Sequence, residues 1–173
     1  MRLGLDEVGV TELMAVTEHA RAMSTTAAGL LLERLDDDAG LVTPVAGDSE
    51  NEEVGALLAE IRAAVPPALG RREVPALWRI LARNPHYLRS TWRKEQVVMR
   101  EGALGTRDKR RVALGVAMSV RARYMIEYHA AIVRVAGDTE TDLLEILGVV
   151  DHYTTLNTLS EGMQIESDIV PPA

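Results

Sequence analysis

Apolar residues recur at three- and four-residue spacing along most of the chain, the periodicity of helices that bury one face. Leu13, Val16, Ala20 and Met23 mark such a face, and the pattern predicts a first helix from Val10 to Leu35. Gly, Pro and acidic residues from Asp36 to Asn51 read as a loop. Ser49 with Glu52 forms a capping box for a second helix, whose face carries Val54, Leu57, Leu58, Ile61 and Val65 and which Pro66-Pro67 stops. A short helix is predicted over 75–83 because proline is favoured at the first helical position. Asn84-Pro85 then breaks and restarts the chain into a helix from Pro85 to Arg100.

Gly102 and Gly105 bracket a turn, and Thr106 is the expected cap of the next helix. No proline interrupts 107–136, so the pattern predicts one long helix of roughly eight turns. Gly137 terminates it, and Asp138 or Thr139 caps a last helix from Glu140 to Glu161. Leu143, Leu144, Leu147, Val150 and Leu156 are expected to face inward there, with an extended tail over 169–173. No β-branched run alternates with polar residues, so the fold class is all-α.

With 173 residues, 47% of them hydrophobic and 26% charged, the chain can bury a sizeable core. There is no Phe, so that core is aliphatic and draws on seven Met. There is no cysteine, which removes disulfides, thiolate metal sites and every cysteine-based mechanism. No basic region precedes a long apolar run, and no stretch approaches the roughly 18 apolar residues of a membrane span. A cytoplasmic protein with no membrane partner is expected.

Charge is unevenly placed. Residues 71–134 hold 15 Lys and Arg against 5 Asp and Glu, a balance of +10, while the rest of the net −7 chain stands at −17. Solvated faces and complementary surfaces between subunits account for this first. An anion or nucleic-acid surface on 71–134 is the sharper and less favoured alternative. Arg107, Lys109, Arg110 and Arg111 sit where cations oppose a helix dipole, which invites an acidic partner such as Asp36–Asp38 of another subunit, or an anionic ligand. Trp78, Trp92 and Tyr87 read as packing anchors around the Pro85 bend.

The order of elements over 74–163 (short helix, "ARNP" break, helix, Gly-bearing turn, long helix ending in His then Gly, closing helix) resembles the alkylhydroperoxidase D / carboxymuconolactone decarboxylase family. That resemblance implies an alkylhydroperoxidase D-like helical bundle over 49–173, with 1–48 as an N-terminal helix and loop extension. It also implies a homo-oligomer, a trimer or hexamer. In the family's peroxidases a Glu is followed by eleven residues and then Cys-x-x-Cys-x-x-x-His, which gathers thiols, imidazole and carboxylate on one helix face. Aligned on His129, the cysteine positions hold Ala122 and Met125, and the glutamate position holds Arg110. Neither Ala nor Met forms a thiolate, so thiol peroxidase chemistry of the family type is excluded.

His129 is left as the candidate acid or base, with Met118, Tyr124, His152 and Tyr153 as a possible pocket. The plainer alternative is a core or interface histidine with a satisfied hydrogen bond. Family decarboxylases lack the cysteine pair and use a histidine-containing pocket, so a small carboxylate is the implied ligand. Arg121 and Arg123 are near in sequence, but helical geometry makes them weak partners for His129. The 75–88 run also resembles group I 2-haloacid dehalogenases, without a residue-by-residue match. His152 beside Asp151 reads as an exposed pair, and two histidines without further ligands do not make a metal site. No P-loop, dinucleotide fingerprint or nucleophile elbow is present, and no cofactor is expected. Three classes therefore stay open: a thiol-free enzyme, a non-catalytic oligomeric scaffold or ligand binder, and an anion or nucleic-acid binder.

Overall fold

The computed structural model describes residues 4–35, 40–46, 51–65 and 74–164, and among these every regular element is a helix. In chain order they are α1 (Glu7–Gly29), α2 (Glu52–Ala64), α3 (Ala76–Leu81), α4 (Pro85–Met99), α5 (Thr106–Ser119), α6 (Arg123–Val135) and α7 (Glu140–Gly162). The expected Ser49 cap, the Pro66-Pro67 stop, the Asp36–Asp38 partner and the 169–173 tail lie outside the described residues.

Local chemistry sets the boundaries. Asp6 caps α1 by accepting from the Gly9 N–H at 2.8 Å, so the helix begins earlier than its apolar stripe suggests. It ends six residues early, because Leu31 turns left-handed (φ 58°) and the Leu32 N–H reaches back to the Ala27 carbonyl at 3.0 Å. Asn51 caps α2, and Asn84 caps α4 with Pro85 behind it. Thr106 opens α5 from inside rather than capping it; Gly105 holds the cap position, and the Thr106 hydroxyl donates to the Met99 carbonyl. Thr139 and Asp142 make a reciprocal capping box on α7.

The long helix predicted over 107–136 is two helices. At the end of α5, Arg121 adopts φ 56° and the Ala122 N–H bonds the Ala117 carbonyl at 3.0 Å, closing a terminator without glycine. The chain turns, and α6 starts with Ala122 as its N-cap.

In the resulting bundle α5 packs against α1, α4, α6 and α7. Val16, Ala20, Met23 and Ala27 of α1 are buried, so the N-terminal helix shares the core. Its docking is also ionic. Glu12 accepts from the Ala103 and Leu104 N–H groups at 3.2 and 2.9 Å and pairs with the buried Lys109 ammonium at 3.0 Å. Trp78 and Trp92 meet edge to face at 5.4 Å and anchor the Pro85 bend, whereas Tyr87 is 47% exposed and anchors nothing. On α7, Leu144, Leu147 and Leu156 face solvent, and no residue of that helix is buried. The half-buried Leu143, Ile146 and Val150 lie on this helix, which packs on α5, and Gly115 of α5 sits beneath Ile146 and Val150.

The basic start of α5 is balanced inside the chain. Asp138, buried after α6, accepts from Arg107 Nε at 2.7 Å and from Arg111 Nε and Nη2, both at 2.9 Å. The acidic partner invited by this cluster is therefore intramolecular.

Candidate active site

The break before α6 decides what the site contains. Ala122, Met125 and His129 stand at the cap, first turn and second turn of α6, all buried on its inner face. Met118, left behind on α5, is half-buried and does not line the cavity beside His129. Tyr124 does line it, and its hydroxyl accepts from the Leu77 N–H at 3.1 Å, tying α6 to α3. His152 and Tyr153 are exposed on α7, stacked edge to face on each other, and take no part in this cavity. No helix among the described residues is long and apolar enough to cross a membrane, and no three or more His, Asp or Glu among them converge to hold a metal.

Two residues that the sequence reading passed over complete the cluster. His19 of α1 and Glu95 of α4 are both buried, with His19 Nε2 2.7 Å from Glu95 Oε2. Arg110 Nη2 lies 2.8 Å from Glu95 Oε1, a close ion pair that is not aligned as a hydrogen bond. Arg110, at the family's relay-glutamate position, thus faces a carboxylate supplied from another helix. A signal for both residues existed in the stripes. His19 falls three residues after Val16 and four before Met23, and Glu95 falls three after Trp92 and four before Met99. A polar residue on a buried stripe is the informative kind.

His19, Glu95, Tyr124, Met125, Tyr128 and His129 enclose a cavity of about 10 Å³, with Trp78, Met99 and Ala113 among its other walls. That space is on the order of one water. Both ring nitrogens of His129 lie in this buried setting without a protein hydrogen-bond partner, as does Arg110 Nη1. The expected alternative of a satisfied core histidine does not describe it.

Electrostatics separate the groups sharply. Burial, followed by the Arg110 charge, drives the His129 imidazole down to about 3, so it is neutral at neutral pH. Burial would raise the Glu95 carboxyl, but Arg110 and then His19 outweigh it and bring it to about 2. Burial pushes Tyr128 up to about 12, keeping its phenol protonated. The arrangement is a neutral, unpaired imidazole beside a carboxylate that stays ionised. One such pair of groups can accept a proton and stabilise the charge that results.

The fold and this cluster define an all-helical bundle with a buried, cysteine-free cluster of titratable side chains on the inner face of α6. The sequence profile of the carboxymuconolactone decarboxylase family matches residues 85–165. The crystal structure of the alkylhydroperoxidase AhpD core from Rhodospirillum rubrum is 32% identical, with a TM-score of 0.63, over 79% of this chain and 93% of that one. No curated protein matches the chain. The chain belongs to the alkylhydroperoxidase D-like / carboxymuconolactone decarboxylase family.

Proposed function

We propose that this chain is an acid–base member of its family that acts on a small carboxylate, with His129 as the proton-transferring group in place of the thiols. One observation carries the reading: a buried imidazole with neither nitrogen bonded to protein, next to a cavity it shares with an ionised carboxylate. An unsatisfied buried polar group costs about 1–3 kcal/mol, and native structures keep few of them without a functional or solvent partner. A neutral imidazole can take a proton from carbon, or donate to an oxygen on which charge develops. Arg110 Nη1 is a further open cationic donor, of the kind that selects carboxylates.

The test is a panel of small carboxylates assayed for decarboxylation and for exchange of carbon-bound hydrogen. His129→Ala should abolish whichever conversion is found, and an unchanged rate would discard the catalytic role. No conversion and no ligand-dependent stabilisation across the panel would instead leave the scaffold reading.

The assembly expected from the family is favoured by a separate observation. Leu144, Leu147, Val149, Tyr153, Leu156 and Leu159 of α7, and Met163 at its C-cap, are all exposed. So many exposed apolar side chains on one helix mark an interaction surface, and we take it to be the contact between copies of this chain.

A further inference from the structure

The inner cavity, at about 10 Å³, holds no more than roughly one water, so the body of any ligand must lie elsewhere. A second hollow adjoins it. Between α1 and α4 an open cleft of about 220 Å³ is walled by Thr26, Ser90, Thr91 and Lys94, and it shares His19 and Met23 with the inner cavity. Those two side chains are the partition. The cleft falls below the roughly 300–1,000 Å³ of drug-sized pockets, so it suits a small molecule.

His19 is built for proton transfer at this partition. Its Nε2 is 2.7 Å from Glu95 Oε2, and a carboxylate partner places the ring proton on that nitrogen, leaving Nδ1 as the base. Glu95 is itself held by Arg110, so the imidazole is oriented by a fixed anion. Of His19, Glu95, Arg110, Tyr128 and His129, it is His19 that also lines the cleft. The charged and titratable groups around His19 are Glu18 on its own helix, Tyr87, Lys94 and Glu95 on α4, Arg110 on α5, and Tyr124, Tyr128 and His129 on α6. Lys94 supplies a cation to the cleft. Among the described residues it pairs with Glu18, and both side chains are largely exposed, a kind of pair that contributes little and exchanges readily for a better anion.

We propose that the cleft between α1 and α4 binds a small carboxylate, with Lys94 pairing its charge and His19, oriented by Glu95, exchanging a proton with the bound molecule. For a 2-oxo acid the step balances as follows. The C–H bond next to the carbonyl breaks and its proton bonds to Nδ1, while the electron pair passes to the carbonyl oxygen as an enolate. The imidazolium exchanges its proton with solvent and returns one to carbon. The ligand class rests on the reading proposed above, whereas the place, the cation and the base do not.

The probe is 2-oxobutyrate in D₂O with the full-length protein, followed by NMR. Backbone amides of Thr26, Ser90 and Thr91 should shift on titration, and exchange at C3 of the probe should accelerate. His19→Gln should keep those shifts and lose about 100-fold in exchange. Lys94→Met should raise the half-saturation concentration about tenfold. As this site is exposed, that variant keeps the test open if His19→Gln does not fold. Glu95→Gln should turn the His19 ring ¹⁵N signature from a single Nε2–H tautomer into a mixture, and an unchanged signature removes Glu95 as the positioning residue. Shifts confined to α6 around His129 overturn the cleft site while leaving the His129 reading intact. Shifts at the cleft with exchange lost only in His129→Gln overturn the role of His19. An absence of any shift overturns the site outright.

Discussion

At the scale of single residues, the buried cluster ties stability to pH through two groups with different windows. His129 stands at about 3 in the fold against 6.5 in a free chain. Its contribution is complete above pH 6.5 and is lost as the pH falls through 3, because the unfolded chain binds that proton first. Glu95 stands at about 2 against 4.5, so its contribution is complete above pH 4.5 and disappears as the pH falls through 2. Between pH 6.5 and 4.5 only His129 of this pair changes, at about 1.4 kcal/mol per pH unit. Urea unfolding should therefore show a loss of about 2 kcal/mol from pH 7 to pH 5, and His129→Leu should flatten that limb. Equal slopes in the two proteins would show that the imidazole is not kept neutral. Removing the carboxylate tests the same cluster from the other side. Glu95→Ala strands the Arg110 charge and should cost about 3–5 kcal/mol. Glu95→Leu with Arg110→Met removes both charges and should recover most of that loss. Failure to recover would mean that the pair does more than neutralise itself.

At the scale of elements, the turn between α5 and α6 is the feature that builds the site, and it is held in a costly conformation. Arg121 sits at φ 56°, where a side chain costs about 1–2 kcal/mol relative to glycine. Glycine gives back roughly 0.5–1 kcal/mol through its greater freedom in the unfolded chain. Arg121→Gly should therefore stabilise by about 0.5–1 kcal/mol, a rise in Tm of about 1–4 °C on the scale expected for this size. An unchanged or lower Tm would mean that the arginine side chain contributes more than its backbone costs. This turn was also the least legible part of the sequence. Asn84-Pro85 and Gly137-Thr139 announce their boundaries through residue chemistry, and the expectations there match α4 and α7. Val120-Arg121-Ala122 announces nothing, because a 6→1 terminator without glycine looks like helix interior. His129 was visible through the family pattern, and its burial among apolar residues fits the stripe. The His19–Glu95 contact joins residues 76 positions apart, and no local period carries information about such a pairing.

At the scale of the whole molecule, α7 asks for something the single chain does not provide. Residues 151–164 are exposed throughout, and only the first half of the helix lies on α5. Isolated helices of fewer than about 12–15 residues are marginal in water, so three turns that bury no residue among the described ones call for a partner. Val149, Tyr153, Leu156 and Met163 follow the four- and three-residue spacing of one face, and all four are exposed. A second copy presenting the same helix supplies that partner at no cost in new sequence, since symmetric contacts use one patch twice. The chain should then sediment well above its 18.9 kDa monomer mass. Tyr153→Glu with Leu156→Glu should return it to the monomer and lower its helical circular dichroism together, because helix and interface form as one unit. Dissociation with helicity unchanged would show that α7 stands unaided, and a wild-type chain that sediments as a monomer would remove the interface altogether.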